Sequence, residues 1–231
     1  MFKKRSEKTE TMDDLAFGGE EMNVTLEELQ TINKWLGGNS VTFTGLNSLV
    51  SDCETPLSIA DIGCGRGDKL KLMVQWSQAR GFKTHFTGID ANPFIIDFAR
   101  KNTDAYPEIT YHCLNIFSDD FQKQKFDIIC CTLFTHHFNN KELVTLLKRL
   151  QKQTKFGIVI NDLHRHWLAY YSIKFITALF SNSNMIKNDA PISVLRSFTR
   201  NDWLEILSQA GIQNYSLSWK WAFRWQLIIK K

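Results

Sequence analysis

Leu57-Ser-Ile-Ala-Asp-Ile-Gly-Cys-Gly-Arg-Gly-Asp68 is the stretch that decides the fold. Apolar Leu57, Ile59, Ala60 and Ile62 form a strand-like run that breaks into three alternating glycines, Gly63, Gly65 and Gly67. A segment of helical periodicity follows, with Leu70, Leu72, Met73 and Trp76 on its inner face. The order is strand, tight turn, helix N-terminus. Glycine has no Cβ, so such a turn can take unusual φ values and let a ligand lie against the backbone. Twenty-three residues after Gly67, Asp90 ends a second strand-like run that starts at Phe86. In a βαβ unit this places a carboxylate at a strand tip, within reach of a sugar diol.

Asp61-Ile-Gly63-Cys-Gly65-Arg-Gly67 resembles the first motif of the class I S-adenosylmethionine-dependent methyltransferases, an acidic residue followed by Gly-x-Gly-x-Gly. The dinucleotide fingerprint Gly-x-Gly-x-x-Gly puts its third glycine one position later, where Asp68 stands. An aspartate there repels a pyrophosphate, and a zwitterionic methionine tail tolerates it better. A glycine triplet alone also fits an ordinary strand-to-helix turn; the strand, the helix and Asp90 together carry the resemblance. It implies an α/β fold: a doubly wound, seven-stranded, mostly parallel sheet in the order 3-2-1-4-5-7-6, with strand 7 antiparallel. It implies S-adenosyl-L-methionine as cofactor, met by Asp61, Gly63, Cys64, Gly65, Gly67, Asp90, Ala91, Asn115, Ile116 and Thr132. Asn115 stands where the family usually has Asp; its amide both donates and accepts, so adenine recognition with altered polarity is expected.

The 231 residues suit one α/β domain with appendages. Net charge is +4 with dispersed basic residues, which disfavours nucleic acid as a partner. The cysteines, Cys53, Cys64, Cys113, Cys130 and Cys131, form no Cys-x-x-Cys pair and read as reduced residues of a cytoplasmic protein, without zinc or disulfides. The N-terminus runs from basic to mixed-charge residues without an apolar segment, so no signal peptide is expected. The longest apolar stretch, Trp167 to Phe180, has 14 residues with Lys174 inside it, too short to span a bilayer.

In chain order, residues 1 to about 22 read as a disordered polar leader. Thr25-Leu-Glu-Glu28 is a capping box opening a helix that stops at Gly37-Gly38, and a weaker helical stretch covers 41–50. Residues 1–52 thus form a leader and helical cap, expected either as a lid over the cofactor or as packing at the sheet edge. Residues 53–231 form the main domain, whose strands alternate with helices. A helical insertion at about 163–198 includes the apolar run 167–180. That helix fits core packing, the wall of a hydrophobic substrate pocket, or a homodimer or peripheral membrane contact. Thr199 to Asp202 caps a final helix, and alternating apolar residues from Tyr215 to Ile229 give two strands turning near 220–222.

Methyl transfer from a sulfonium needs alignment and exclusion of water, and no metal. An acceptor oxygen with a high pKa gains from a nearby base, a role histidine suits at neutral pH. His136-His137, just past strand four, is the favoured pair. In the family this loop borders the transferred methyl, and His-His-Phe138 looks like the small-molecule O-methyltransferases of polyketide- and quinone-type pathways. Either histidine could instead cap the next helix or pack structurally. His164 is the second candidate, with Asp162 to orient it and Arg165 to bind an anion; a solvated polar loop is the alternative. Amino-directed nucleic-acid enzymes carry Asp/Asn-Pro-Pro-aromatic after strand four, whereas this chain has Cys131-Thr-Leu-Phe134. A carbon or nitrogen acceptor, and a non-catalytic cofactor-binding subunit, stay open.

Overall fold

The computed structural model describes residues 2–50 and 56–231. Cys53 and the boundary between the cap and the main domain lie outside the described residues. Two helices, α1 (Glu20–Trp35) and α2 (Gly38–Leu49), precede the sheet. Then come β1 (Leu57–Ile62), α3 (Asp68–Ala79), β2 (Thr84–Asp90), α4 (Pro93–Asn102), β3 (Ile109–Cys113), the short α5 (Asp119–Gln122) and β4 (Phe126–Thr132). The second half holds α6 (Asn140–Gln153), β5 (Thr154–Leu163), α7 (Trp167–Phe180), α8 (Asn184–Arg196), α9 (Arg200–Ala210), β6 (Tyr215–Lys220) and β7 (Arg224–Lys230).

The seven strands form one sheet in the order β3-β2-β1-β4-β5-β7-β6. β1 to β5 pair in parallel, and β7 runs antiparallel to both β5 and β6. The central strands are apolar on both faces because helices cover both. Ile59, Ile128, Cys130 and Val159 point into a core with α2, α3 and α4, while Ile62, Ile129, Cys131 and Ile160 point into the opposite core with α6 and α9. The loops at the C-terminal ends of β1, β2, β4 and β5 gather at one rim, where ligands bind in open parallel sheets.

Several local expectations are corrected. α1 begins at Glu20, not Thr25, because the Thr25 hydroxyl is buried against Ser183 Oγ at 2.7 Å instead of capping a helix end. Residues 2–14 are an ordered strap. Ser6 N–H donates to the Leu195 carbonyl at 3.0 Å, and the Asp189 carboxylate accepts from the backbone N–H groups of Thr11 (3.0 Å) and Met12 (3.1 Å). The strap is held by polar contacts, which a reading based on apolar anchors passes over. The insertion is a pair of packed helices, α7 and α8. The terminal strands turn at Trp221–Phe223, where Ala222 (φ 60°) and Phe223 (φ 55°) take the left-handed region without glycine or asparagine.

Candidate active site

The glycine turn after β1 is held by Gly63 and Cys64, whose N–H groups donate to the Ile89 carbonyl at 2.8 and 3.2 Å. Gly63, Gly65 and Gly67 all have positive φ, and the space where a side chain of Gly65 would project is open. A Cβ on Gly67, in contrast, would overlap the Tyr111 hydroxyl, so Gly67 serves the packing of the turn against β3. Gly63, Gly65, Asp90, Ala91, Asn115 and Ile116 line one crevice of about 520 Å³. Asp61, Cys64, Lys69 and Thr132 line an adjoining pocket of about 140 Å³, which Gly63 and Gly65 share. Nine of the ten cofactor residues expected from sequence therefore line these two adjoining spaces, and Gly67 does not.

Asp61 is 2% exposed and its Oδ1 has no hydrogen-bond partner. Burial pushes its carboxyl up to about 7, against the opposing pull of Lys69. Burial moves the Lys69 ammonium down in turn; its Nζ donates to Asn39 Oδ1 at 2.7 Å. Asp90 is also pushed up by burial, partly offset by the N–H groups of Asn92 and Gly65. A cationic amino group beside Asp61 and a diol beside Asp90 would relieve both. The Asn115 carboxamide oxygen caps Phe117 N–H at 2.8 Å, which turns its NH₂ group to the role of donor in this crevice.

Leu133 borders all of the spaces. It lines both of these cavities and a third of about 310 Å³, and it holds φ 52° with its N–H on the Asn161 carbonyl at 2.8 Å. A branched residue in that region stores strain of about 1–3 kcal/mol, a cost seen mostly at functional turns. The third cavity is mostly apolar, walled by Leu29 and Ile32 of α1 and by Ala169, Ile173 and Ile176 of α7, with His136, His137 and His164 also lining it. The inner side of α7 is thus a pocket wall. Its outer side carries Trp167, Tyr171, Phe175 and Leu179, all more than half exposed.

His136 and His137 occupy a 3₁₀ turn directly after β4. Neither caps α6, whose N-cap is Asn139 in a capping box with Glu142. His136 is 3% exposed, and its Nδ1 lies 2.7 Å from Asp162 Oδ1 at the end of β5. Burial would raise the Asp162 carboxyl, but His136 and Thr135 outweigh it and hold it well below the carboxylate range. Asp162 is therefore held as the carboxylate that accepts from His136 Nδ1–H, and Nε2 is the ring nitrogen without a hydrogen bond. His137 Nδ1 pairs with Asp13 Oδ1 at 2.6 Å, and this ring borders both the crevice and the apolar cavity. The turn's carbonyls are fixed by Arg5 and Arg196: both guanidinia donate to the His136 carbonyl, at 3.1 and 3.3 Å.

The expected pairing of His164 with Asp162 is not formed, since Asp162 is directed at His136. His164 instead accepts from Trp219 Nε1 at 3.2 Å on the far side of the cavity, among His166, Phe223 and Trp225. Burial and the neighbouring His166 and Arg165 bring it down to about 4. Arg165 is 3% exposed and bonds Asp202, the Ser197 carbonyl and the Phe2 carbonyl, so it anchors structure and is closed to an anionic substrate. Glu10, Asp13, Leu133 and Arg196 were not recognised from sequence; Glu10 and Asp13 lie in the polar leader, where nothing in the local pattern separates them from solvated acids. Glu10, His136 and His137 bring potential ligand atoms within 4.8 Å of one another, the one such group among the described residues. Arg196 Nη1, 3.5 Å from Glu10 Oε1, sets a fixed positive charge beside that position.

A parallel sheet with an antiparallel β7, a glycine turn led by a buried acid and a second acid at the tip of β2 define a class I methyltransferase fold. Residues 59–157 match the methyltransferase domain family. Over 98 residues it is 33% identical to the malonyl-[acyl-carrier protein] O-methyltransferase of Acetivibrio thermocellus, a match covering 42% of this chain and 32% of that protein. The matched segments span about a third of the length of the curated relatives. The plantazolicin methyltransferase BpumL, solved with a triazolic desmethylPZN analogue and SAH, superposes with a TM-score of 0.66 at 19% identity, covering 91% of this chain and 90% of BpumL. The CurJ carbon methyltransferase superposes with a TM-score of 0.60 at 14% identity, covering 84% of this chain and 53% of that one. At these identities the superpositions establish the shared fold.

Proposed function

We propose that this protein is an S-adenosylmethionine-dependent methyltransferase acting on a small, apolar, aromatic acceptor, with His136 as general base and oxygen as the favoured nucleophile. The observation that carries the reading is the Asp162–His136 pair, which borders an apolar cavity that shares Leu133 and His137 with the wall of the glycine-turn crevice. The crevice fits the cofactor: Asp61 has an unpartnered oxygen for an ammonium, Asp90 a carboxylate for a ribose, and Gly65 leaves its approach open. The cofactor, when bound, supplies an already activated methyl group.

The protein's own part is orientation, dryness and proton transfer. α7, α1 and the β6–β7 turn exclude water from the acceptor, which favours in-line displacement. His136 Nε2 takes the acceptor's proton as the nucleophile attacks, and Asp162 stabilises the imidazolium that forms. The same base would serve an acidic carbon acceptor, the chemistry named for the structurally similar CurJ enzyme. His137 is the alternative base at the same turn.

Transfer of a labelled methyl group to alkylphenols tests the reading. His136→Ala is expected to lower kcat by about 10²–10⁴-fold while leaving cofactor affinity within about twofold, a change of under ~0.5 kcal/mol. Full turnover in His136→Ala would remove the base assignment and leave the cofactor reading standing.

A further inference from the structure

Glu10 is an acid placed where an apolar pocket has no evident need of one. The ordered leader delivers it into the cavity walled by α7, where its side chain is 3% exposed. Oε2 accepts from Ser193 Oγ at 2.7 Å, which fixes the carboxylate plane, but Oε1 has no hydrogen-bond partner. Oε1 lies 3.7 Å from His136 Nε2 and 3.5 Å from Arg196 Nη1, close enough for charge to act and too far for a hydrogen bond to the imidazole. An acceptor atom buried without a donor is costly, and such an atom on a residue that lines a cavity is a recognition element lacking its ligand.

We propose that Glu10 is a specificity-determining residue: Oε1 accepts a hydrogen bond from a second hydroxyl of the acceptor, beside or one position removed from the group that faces His136. The substrate class is then an otherwise apolar arene bearing two hydroxyls. The inference rests on reading this cavity as the acceptor site. Two hydrogen-bond acceptors 3.7 Å apart, Nε2 and Oε1, each taking a donor at about 3 Å, match two hydroxyls on neighbouring or alternate ring positions. A monohydroxylated arene satisfies one of them and leaves the other bare. The apolar lining by Ile173 and Ile176 takes the remainder of the acceptor. A divalent cation on Glu10, His136 and His137 is the competing occupant, since carboxylates back both imidazoles as they often do in metal sites. The adjacent Arg196 guanidinium opposes it.

Calorimetric binding to the full chain saturated with S-adenosylhomocysteine tests this without requiring turnover. The probes are an alkylphenol and its counterpart carrying a second ring hydroxyl in the ortho or meta position. The wild type is expected to prefer the dihydroxylated probe by about tenfold, as for one well-placed hydrogen bond. Glu10→Leu should bring that preference to within about twofold, chiefly by weakening the dihydroxylated probe, with S-adenosylhomocysteine affinity unchanged. Glu10→Gln keeps the side-chain volume and serves if the Leu variant fails to fold; its preference should fall by several-fold. An unchanged preference, an equal loss for both probes, or tight zinc or manganese binding that requires Glu10 would overturn the assignment. Binding of neither probe by the wild type would instead remove the acceptor-site reading itself, and inactivity of His136→Ala bears on neither result.

Discussion

Asp61 and Asp162 are both buried carboxylates, and they shift in opposite directions because Asp162 is fully hydrogen-bonded while Asp61 Oδ1 has no partner. Asp162 accepts from Thr135 Oγ1, His136 N–H and His136 Nδ1, and stays ionised. Asp61 keeps one oxygen bare and is pushed up to about 7. In the proposed reaction Asp162 orients the base and Asp61 receives the cofactor's ammonium. Replacing Asp162 by Asn should leave a folded protein whose imidazole adopts the wrong tautomer, with kcat reduced by about 10²–10⁴-fold and no comparable change in cofactor Kd. For Asp61 the sign follows from linkage: a bound ammonium favours the carboxylate, so ligand binding expels the proton the free protein holds below about 7. Cofactor affinity measured by calorimetry should therefore weaken as pH falls through that value. Asp61→Asn should lose about 1–3 kcal/mol of binding, the worth of a hydrogen bond to a charged group, together with this pH dependence.

The elements around the sheet divide into those that pack and those that bind. α7 meets the apolar cavity proposed to hold the acceptor through Ala169, Ile173 and Ile176, so Ile173→Trp should fill that space and raise the acceptor KM about tenfold or more, with cofactor Kd unchanged. Gly67 behaves as packing: Ala there would meet the Tyr111 hydroxyl at φ 77° and should cost about 1–3 kcal/mol of stability by denaturant unfolding. At the end of β5, His164 is lowered to about 4 from its ordinary 6.5. The native state thus binds fewer protons than the unfolded chain between these values, so stability is full above about 6.5 and falls as pH drops toward 4. His164→Phe keeps the contact with Trp225 and Phe223 and should flatten the acid fall of Tm relative to wild type. The glycine turn, the alternating strands and the His136-His137 turn were legible because period, glycine spacing and caps are local signals. The leader was not: its anchors, Arg5, Glu10 and Asp13, bond residues more than a hundred positions away, and nothing in their own neighbourhood distinguishes them from solvated charges. The partner of Asp162 was misassigned for a related reason. His164 is near in sequence, whereas His136 is near because β4 and β5 are neighbours in the sheet.

At the scale of the whole molecule, the rim of one parallel sheet carries every part of the proposed reaction. β1 and β2 present the acids of the cofactor crevice, β4 presents the base, β5 orients it, and the inserted α7–α8 pair with the leader encloses the acceptor. Among the described residues no helix is long and apolar enough to cross a membrane, and the exposed aromatic stripe of α7 lies on the outside of the pocket wall. The seven-stranded order was readable from sequence because doubly wound topologies are few once the strand spacing is known. The acceptor cavity was not, since its wall comes from segments separated by most of the chain: the leader, α7 and the β6–β7 turn. The central claim is that the crevice and the cavity are the two halves of one methyl-transfer site with His136 between them. The most direct measurement follows label from S-[methyl-³H]adenosylmethionine into an alkyl-substituted phenol, comparing wild type with His136→Ala under cofactor saturation. The account predicts labelled product with the wild type and a fall of about 10²–10⁴-fold in the variant. It is contradicted if no phenolic acceptor is ever labelled although the cofactor binds, or if the two proteins label it at the same rate.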